Sequence, residues 1–184
     1  MKEYVLDKAK SMKKINDLAL PGEIVIFGST YMSGFPLYEL INKCKSENAV
    51  YNRSVKGLTL KEAIELLDDC VVDIHPNKVF IALGEEDESN PNAFSEYADL
   101  VCAIRQKLPE TIIYLIGLIN SSPFAESFNK SILSLCDNKT VNYVDLVKKA
   151  PSEYALFKAQ FKQISCFFRT TPITMGDAFE LTSL

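Results

Sequence analysis

The stretch IVIFGSTYMSGFPLYELI, from Ile24 to Ile41, decides the fold of this chain. It opens with an apolar, mostly β-branched run that ends at Gly28, which predicts a short buried strand. After Pro36, which fits the first turn of a helix, leucine and isoleucine recur at three- and four-residue spacing. The stretch therefore predicts a strand that leads through a glycine turn into a helix.

The same strand-then-helix order repeats along the chain. Further strands are predicted in NAVYNRSV (48–55), KVFIALG (78–84), TIIYLIGLI (111–119) and VNYVDLV (141–147), and further helices at about 60–69, 93–108, 124–136 and 157–168. Thr59 is a predicted N-cap, and Glu62 completes a capping box with it. Apolar strands that alternate with helices indicate a parallel sheet covered on both faces. The predicted class is a three-layer α/β/α sandwich, flavodoxin-like, with about five parallel strands.

Length and composition limit the kind of protein. The 184 residues predict a single domain spanning 1–184, with an N-terminal helix within 1–20 and an irregular segment at 163–184. A net charge of −4 argues against nucleic-acid binding. No apolar run is long enough to span a membrane, and the N-terminus lacks the core of a secretory signal. Five widely spaced cysteines favour free thiols and a cytoplasmic location.

Ligands of parallel α/β sheets bind beyond the carboxyl ends of the strands. The loops that the predicted strands place there are 28–32, 54–59, 84–90 and 118–122. The third loop contains four consecutive acids, from Glu85 to Glu88. Such oxygen ligands suit a hard cation, but a solvated acidic loop is the favoured interpretation because consecutive acids seldom converge on one ion. We therefore expect no metal and no other cofactor.

Three of these loops resemble sequence blocks of the GDSL/SGNH hydrolase family. The opening stretch resembles its first block, IVFIGDSI, and the PLYEL that follows is typical of the platelet-activating-factor-acetylhydrolase-like branch. NRSVKGLT (52–59) resembles the second block, NRGIxGxT, and PNKVFIALGEED (76–87) resembles the third, PxxVxxxIGTND. Three blocks in the right order form a specific signal. The resemblance covers roughly residues 24 to 145 and implies an esterase or acetylhydrolase scaffold.

The resemblance also implies the residues of a site. Thr30 stands where the family has its nucleophilic serine, and Ser29 stands where it has the preceding aspartate. Gly57 matches the oxyanion glycine. Glu86 replaces the asparagine whose amide would donate to the oxyanion, while the neighbouring Asp87 is kept.

The family's base, the histidine of an Asp-x-x-His motif, has no counterpart. The only histidine, His75, precedes a predicted strand and is expected at the opposite edge of the sheet. The nearest terminal match is GDAFELT, in which Asp177 keeps the acid and Glu180 replaces the histidine. A competing register places RTTPITMG (169–176) over this region, and neither register supplies a histidine.

These replacements weaken the chemistry of ester hydrolysis, which needs a nucleophile, a base and oxyanion donors. The extra methyl group of threonine restricts its side chain, and a carboxylate is a weak base at neutral pH. Loss of one oxyanion donor costs ~2.7–4 kcal/mol. An ionised Glu86 beside a developing negative charge would add repulsion of about 4 kcal/mol at a separation of ~4 Å.

Three hypotheses remain at this stage. The favoured one is an impaired hydrolase that binds a small molecule, such as an acylated or acetylated compound, or a protein partner. The alternative is an active ester hydrolase or acyltransferase in which Thr30 attacks and Glu180 or Glu86 acts as base. The third is an interaction protein that forms a homodimer through the sheet edge or the N-terminal helix.

Overall fold

Five parallel strands form the centre of the protein. In the computed structural model, which describes residues 2–42 and 48–169, they are β1 (Ile24–Gly28), β2 (Val50–Asn52), β3 (Lys78–Ala82), β4 (Ile112–Ile116) and β5 (Val141–Val144). Their order in the sheet is β2-β1-β3-β4-β5, and every neighbouring pair is parallel. The predicted strands and the predicted flavodoxin-like parallel sheet are confirmed, and all carboxyl ends lie at one edge.

Eight α-helices cover this sheet in the described part of the chain. They are α1 (Glu3–Lys13), α2 (Thr30–Ser33), α3 (Leu37–Ile41), α4 (Leu60–Glu65), α5 (Leu67–Cys70), α6 (Ala93–Lys107), α7 (Pro123–Leu133) and α8 (Glu153–Ser165). Short 3₁₀ turns lie at Asn16–Leu18 and Val72–Ile74.

Successive residues of each strand enter two different cores. Val25 and Phe27 pack with side chains from α1, α4, α6 and α7 on one face. Ile24 and Ile26 pack with side chains from α3 and α8 on the other. Because strand side chains alternate between the two faces, one apolar run supplies both cores. This arrangement confirms the three-layer sandwich.

The helix predicted to begin at Pro36 is α3, which starts at Leu37. The single turn α2 before it was not predicted, and Pro36 separates the two because it has no N–H and disfavours helical backbone at the residue before it. The helix expected to run to about residue 69 is interrupted at Leu66, between α4 and α5. Its beginning agrees with the prediction, since Thr59 and Glu62 form a complete capping box.

The two ends of the chain differ from the predicted bounds in detail. The N-terminal helix occupies Glu3–Lys13, and α8 extends to Ser165, three residues into the segment predicted to be irregular from 163. Residues 170–184, with Asp177 and Glu180, lie outside the described residues, as does the segment 43–47. Within the part that is described, no helix combines the length and apolar character needed to cross a bilayer.

Candidate functional site

Three loops meet at the hydroxyl group of Thr30, the first residue of α2 at the carboxyl edge of the sheet. The Thr30 hydroxyl donates a hydrogen bond to Oε1 of Glu86 at 2.5 Å. It accepts a hydrogen bond from the backbone N–H of Gly57 at 2.9 Å. The structure therefore brings together Thr30, Gly57 and Glu86, which the sequence predicted as parts of one site.

The backbone conformation at position 57 favours glycine. Its φ angle is +72°, in the left-handed region that side chains rarely adopt. A Cβ atom there would lie 2.3 Å from the hydroxyl oxygen of Tyr4 and 3.2 Å from Nζ of Lys2. The Lys2 ammonium also donates to the Gly57 carbonyl at 3.0 Å, and the Lys2 backbone N–H donates to Glu62 at 3.1 Å. Residues at the beginning of α1 thus hold the loop that presents the Gly57 N–H to Thr30.

Glu85 holds the backbone beside Thr30. Its carboxylate accepts a hydrogen bond from the backbone N–H of Tyr31 at 2.8 Å. Burial raises the pKa of this half-buried carboxyl group, and the neighbouring charge of Glu86 adds to the effect. The backbone N–H of Gly57 also has an acceptor already, the Thr30 hydroxyl. Such N–H groups beside an attacking hydroxyl are the donors that would stabilise an oxyanion.

Glu86 lies differently from its neighbour. Its side chain is exposed to solvent and contacts the Thr30 hydroxyl. An ionised carboxylate has no N–H or O–H to donate, so it cannot replace the amide of an asparagine in an oxyanion hole. It can accept a proton, and it lies within hydrogen-bond reach of the Thr30 hydroxyl.

Two residues predicted to bind substrate are buried elsewhere. Asp87 is only 4% exposed, and it accepts from the Leu60 N–H at 3.1 Å and from the Asn90 amide, so it caps α4. Burial raises the pKa of the Asp87 carboxyl group. Ser29 is fully buried, and its hydroxyl has no hydrogen-bond partner among the described residues. Both side chains are thus buried, and their contact with substrate stays a prediction.

The acidic loop does not form a metal centre in the described chain. Glu85 faces the first N–H groups of α2, Glu86 faces the Thr30 hydroxyl, and Asp87 faces α4. Among residues 2–42 and 48–169, no group of three or more histidine, cysteine or acidic side chains is arranged to hold a metal ion.

A small cavity of about 60 Å³ lies beside the site. It is lined mainly by apolar side chains and backbone at the ends of β3 and β4, together with Tyr31, Glu85 and Leu146. Its volume fits only a small group. Tyr31 donates a hydrogen bond to the fully buried Gln160, whose amide donates to the Val147 carbonyl at 2.8 Å. This link joins α2 to α8 and was not predicted from the sequence.

His75 lies at the amino edge of the sheet, three residues before β3 begins at Lys78. A strand of this length, at about 3.3 Å per residue, separates it from the carboxyl edge by roughly 16 Å. The structure thus agrees with the expectation that His75 is not the base. The residues predicted to replace the family's acid and base, Asp177 and Glu180, fall outside the described chain.

Three solved structures show what this fold is similar to. A Streptococcus pneumoniae protein provisionally described as a platelet activating factor matches with a TM-score of 0.76 and 17% identity, over 91% of this chain and 94% of that chain. A GDSL-like lipase from Bacteroides thetaiotaomicron matches with a TM-score of 0.63 and 14% identity, over 95% and 92%. The esterase EstA from Pseudoalteromonas sp. matches with a TM-score of 0.59 and 16% identity, over 79% and 95%.

These comparisons establish the class of fold. The chain has the α/β fold of the GDSL/SGNH lipases and esterases, which confirms at the level of the fold the resemblance seen in the three sequence blocks. No protein-family model and no curated protein matches the chain.

Proposed function

We propose that this protein is an SGNH-hydrolase-like domain whose ester-hydrolysing centre is impaired, and that it binds a small ligand or a protein partner. The observation that carries the proposal is the contact of the Glu86 carboxylate with the Thr30 hydroxyl. At the place where a hydrolase needs an amide that donates to the oxyanion, this chain has a carboxylate that accepts.

The energetic argument has two parts. An asparagine amide in the oxyanion hole is worth ~2.7–4 kcal/mol of barrier, a factor of about 10²–10³ in rate, and Glu86 cannot provide it while ionised. The Gly57 N–H group would also have to leave the Thr30 hydroxyl before it could stabilise an oxyanion. Together these two deficits favour a protein that binds its ligand without hydrolysing it.

The same arrangement suits the binding of a small group. The cavity of about 60 Å³ next to Glu85 is lined mainly by apolar atoms and reaches Tyr31. An acetyl or similarly short acyl group matches its size and its chemistry. The ligand that we propose is therefore a compound that carries such a group.

Hydrolysis of p-nitrophenyl acetate tests this function. We expect wild type and the Thr30→Ala variant to hydrolyse the ester at the same low rate, with Thr140→Ala as the control for a threonine removed from a surface turn. We also expect no covalent adduct on Thr30 after incubation with an organophosphonate. Turnover that disappears in Thr30→Ala and persists in Thr140→Ala would refute the proposal.

The hydrogen bond of 2.5 Å between Thr30 and Glu86 supports a second candidate, an active ester hydrolase or acyltransferase in which Glu86 is the base. That enzyme would lose its activity in Glu86→Gln as well as in Thr30→Ala. Equal rates for wild type and Glu86→Gln would exclude it. Glu180 as the base, a homodimer and a cytoplasmic location stay predictions.

A further inference from the structure

A second and larger cleft, of about 580 Å³, lies on the side of the molecule where α1 packs near the edge strand β2. Its walls come from α1, from the end of β2 with the loop that follows, and from Ser33 and Tyr38. Neither Thr30, Gly57 nor Glu85 lines it. The cleft is therefore distinct from the candidate hydrolase site.

Arg53 is the unusual residue of this cleft, because only 3% of it is exposed. Its Nη1 donates to the Met12 carbonyl at 3.0 Å, and the guanidinium lies 5.9 Å from the centre of the Tyr51 ring. Within residues 2–42 and 48–169, no carboxylate forms a salt bridge with it. A buried cation without a counter-charge is costly, and a guanidinium has five N–H donors to satisfy.

The remaining charges of the cleft have the same sign. Lys8 and Lys56 line it together with Arg53, and no acidic residue does. This excess of positive charge occurs in a protein whose net charge is −4. Ser54 also lines the cleft and has a buried hydroxyl without a hydrogen-bond partner among the described residues. These groups would favour an anion on electrostatic grounds.

Three tyrosines complete the walls. Tyr4 and Tyr38 expose about half of their surface, at 51% and 54%, and Tyr51 lies next to Arg53. Exposed aromatic rings of this kind pack well against a planar ligand.

We propose that this cleft binds a small organic anion, whose carboxylate or phosphate group pairs with Arg53, Lys8 and Lys56 and whose planar ring packs against the tyrosines. The inference goes beyond the proposed function, since it concerns another surface and does not depend on the state of Thr30.

Titration with phenyl phosphate and benzoate at low ionic strength tests the inference, with benzyl alcohol as the neutral analogue. We expect saturable binding of at least one of the two anions, weaker binding as salt is added, and none of benzyl alcohol. The tighter of the two anions identifies the head group. Backbone NMR signals of Tyr51, Asn52 and Lys56 should shift during the titration.

Variants at the exposed lysines avoid the risk that a change at buried Arg53 unfolds the protein. The double variant Lys8→Gln/Lys56→Gln should weaken binding roughly tenfold, because each exposed ion pair contributes modestly. The matched control Lys10→Gln/Lys61→Gln, at lysines on α1 and α4 that do not line the cleft, should bind as wild type does. Thr30→Ala should also bind normally, which separates this result from any failure of the proposed function.

Three results would overturn the inference. They are the lack of saturable binding by either anion, equal weakening in both double variants, and signal shifts confined to residues 28–32 and 84–90.

Discussion

Replacement of Thr30 by valine tests whether its hydroxyl joins the loops of the site. Valine keeps the branched shape but removes both hydrogen bonds, the one from the Gly57 N–H and the one to Glu86. Replacement by serine keeps the hydroxyl and removes only a methyl group. The two variants therefore separate the hydrogen bonds from the packing.

Most of the stability that Thr30→Val is expected to lose comes from the hydrogen bond of the Gly57 N–H. A buried N–H that loses its acceptor costs about 1–3 kcal/mol, and Gly57 is buried. Glu86 is exposed, so water can replace the hydroxyl as its hydrogen-bond donor. Loss of the hydrogen bond to Glu86 therefore lowers the stability by at most about 0.5 kcal/mol. Because Thr30 is only half-buried and water can partly reach the gap, we expect Thr30→Val to lower the free energy of unfolding by about 1.5 kcal/mol. For a chain of this size, that corresponds to a melting temperature lower by about 3–6 °C.

Urea unfolding of wild type, Thr30→Val and Thr30→Ser measures the effect. We expect Thr30→Ser to lie within about 0.5 kcal/mol of wild type and the m-value to be the same in all three. A double-mutant cycle with Glu86→Gln should give a coupling well below the total loss, since Gly57 is the main partner. If Thr30→Val proves as stable as Thr30→Ser, the hydroxyl does not join these loops and the geometry argued for the site is wrong.

Two further predictions concern the neighbouring residues. Burial raises the pKa of Glu85 above its ordinary value of 4.5, so its contribution to stability is fully present below pH 4.5 and is lost as the pH rises through the raised pKa. The free energy of unfolding of wild type relative to Glu85→Gln should therefore fall between pH 4.5 and pH 7. An unchanged difference across that range would contradict the burial of this carboxyl group. Gly57→Ala should lower the free energy of unfolding in urea by about 1–2 kcal/mol, since alanine is strained at a φ of +72° and its Cβ meets the Tyr4 hydroxyl. In a Tyr4→Phe background, only the part of this loss due to that contact should be recovered. Full recovery would show that the backbone is not strained.

Much of the fold could be predicted from the sequence because each strand is a continuous apolar run. Such runs predict strands buried on both faces, and the strand-helix alternation then predicts a parallel sheet. The capping box at Thr59 was equally readable, since it depends on two residues three positions apart. The start of α3 at Pro36 was also readable, because proline favours the first turn of a helix. The single turn α2 before it and the break at Leu66 were not predicted, and apolar spacing continues through Leu66.

The site was predicted less completely than the fold. Sequence blocks placed Thr30, Gly57 and Glu86 in the same site, and the structure brings these residues together. They could not show that Glu85 accepts from the backbone N–H of Tyr31 while Glu86 contacts the Thr30 hydroxyl, because adjacent residues after a strand point in different directions. The one available signal was the position of an acid opposite the first turn of a helix, where carboxylates are favoured. The link between Tyr31 and Gln160 joins residues far apart in the chain and left no pattern in the sequence.

The contacts of Lys2 and Tyr4 with the Gly57 loop have a consequence for how the molecule fluctuates. The first turn of a helix lacks partners for its leading N–H groups and opens more readily than a central sheet strand. Each opening of that turn removes the support on one side of Gly57, while β1 keeps Thr30 in place on the other. We therefore expect the amide hydrogen of Gly57 to exchange faster than that of Ser29, whose N–H donates to the Ala82 carbonyl at the end of β3.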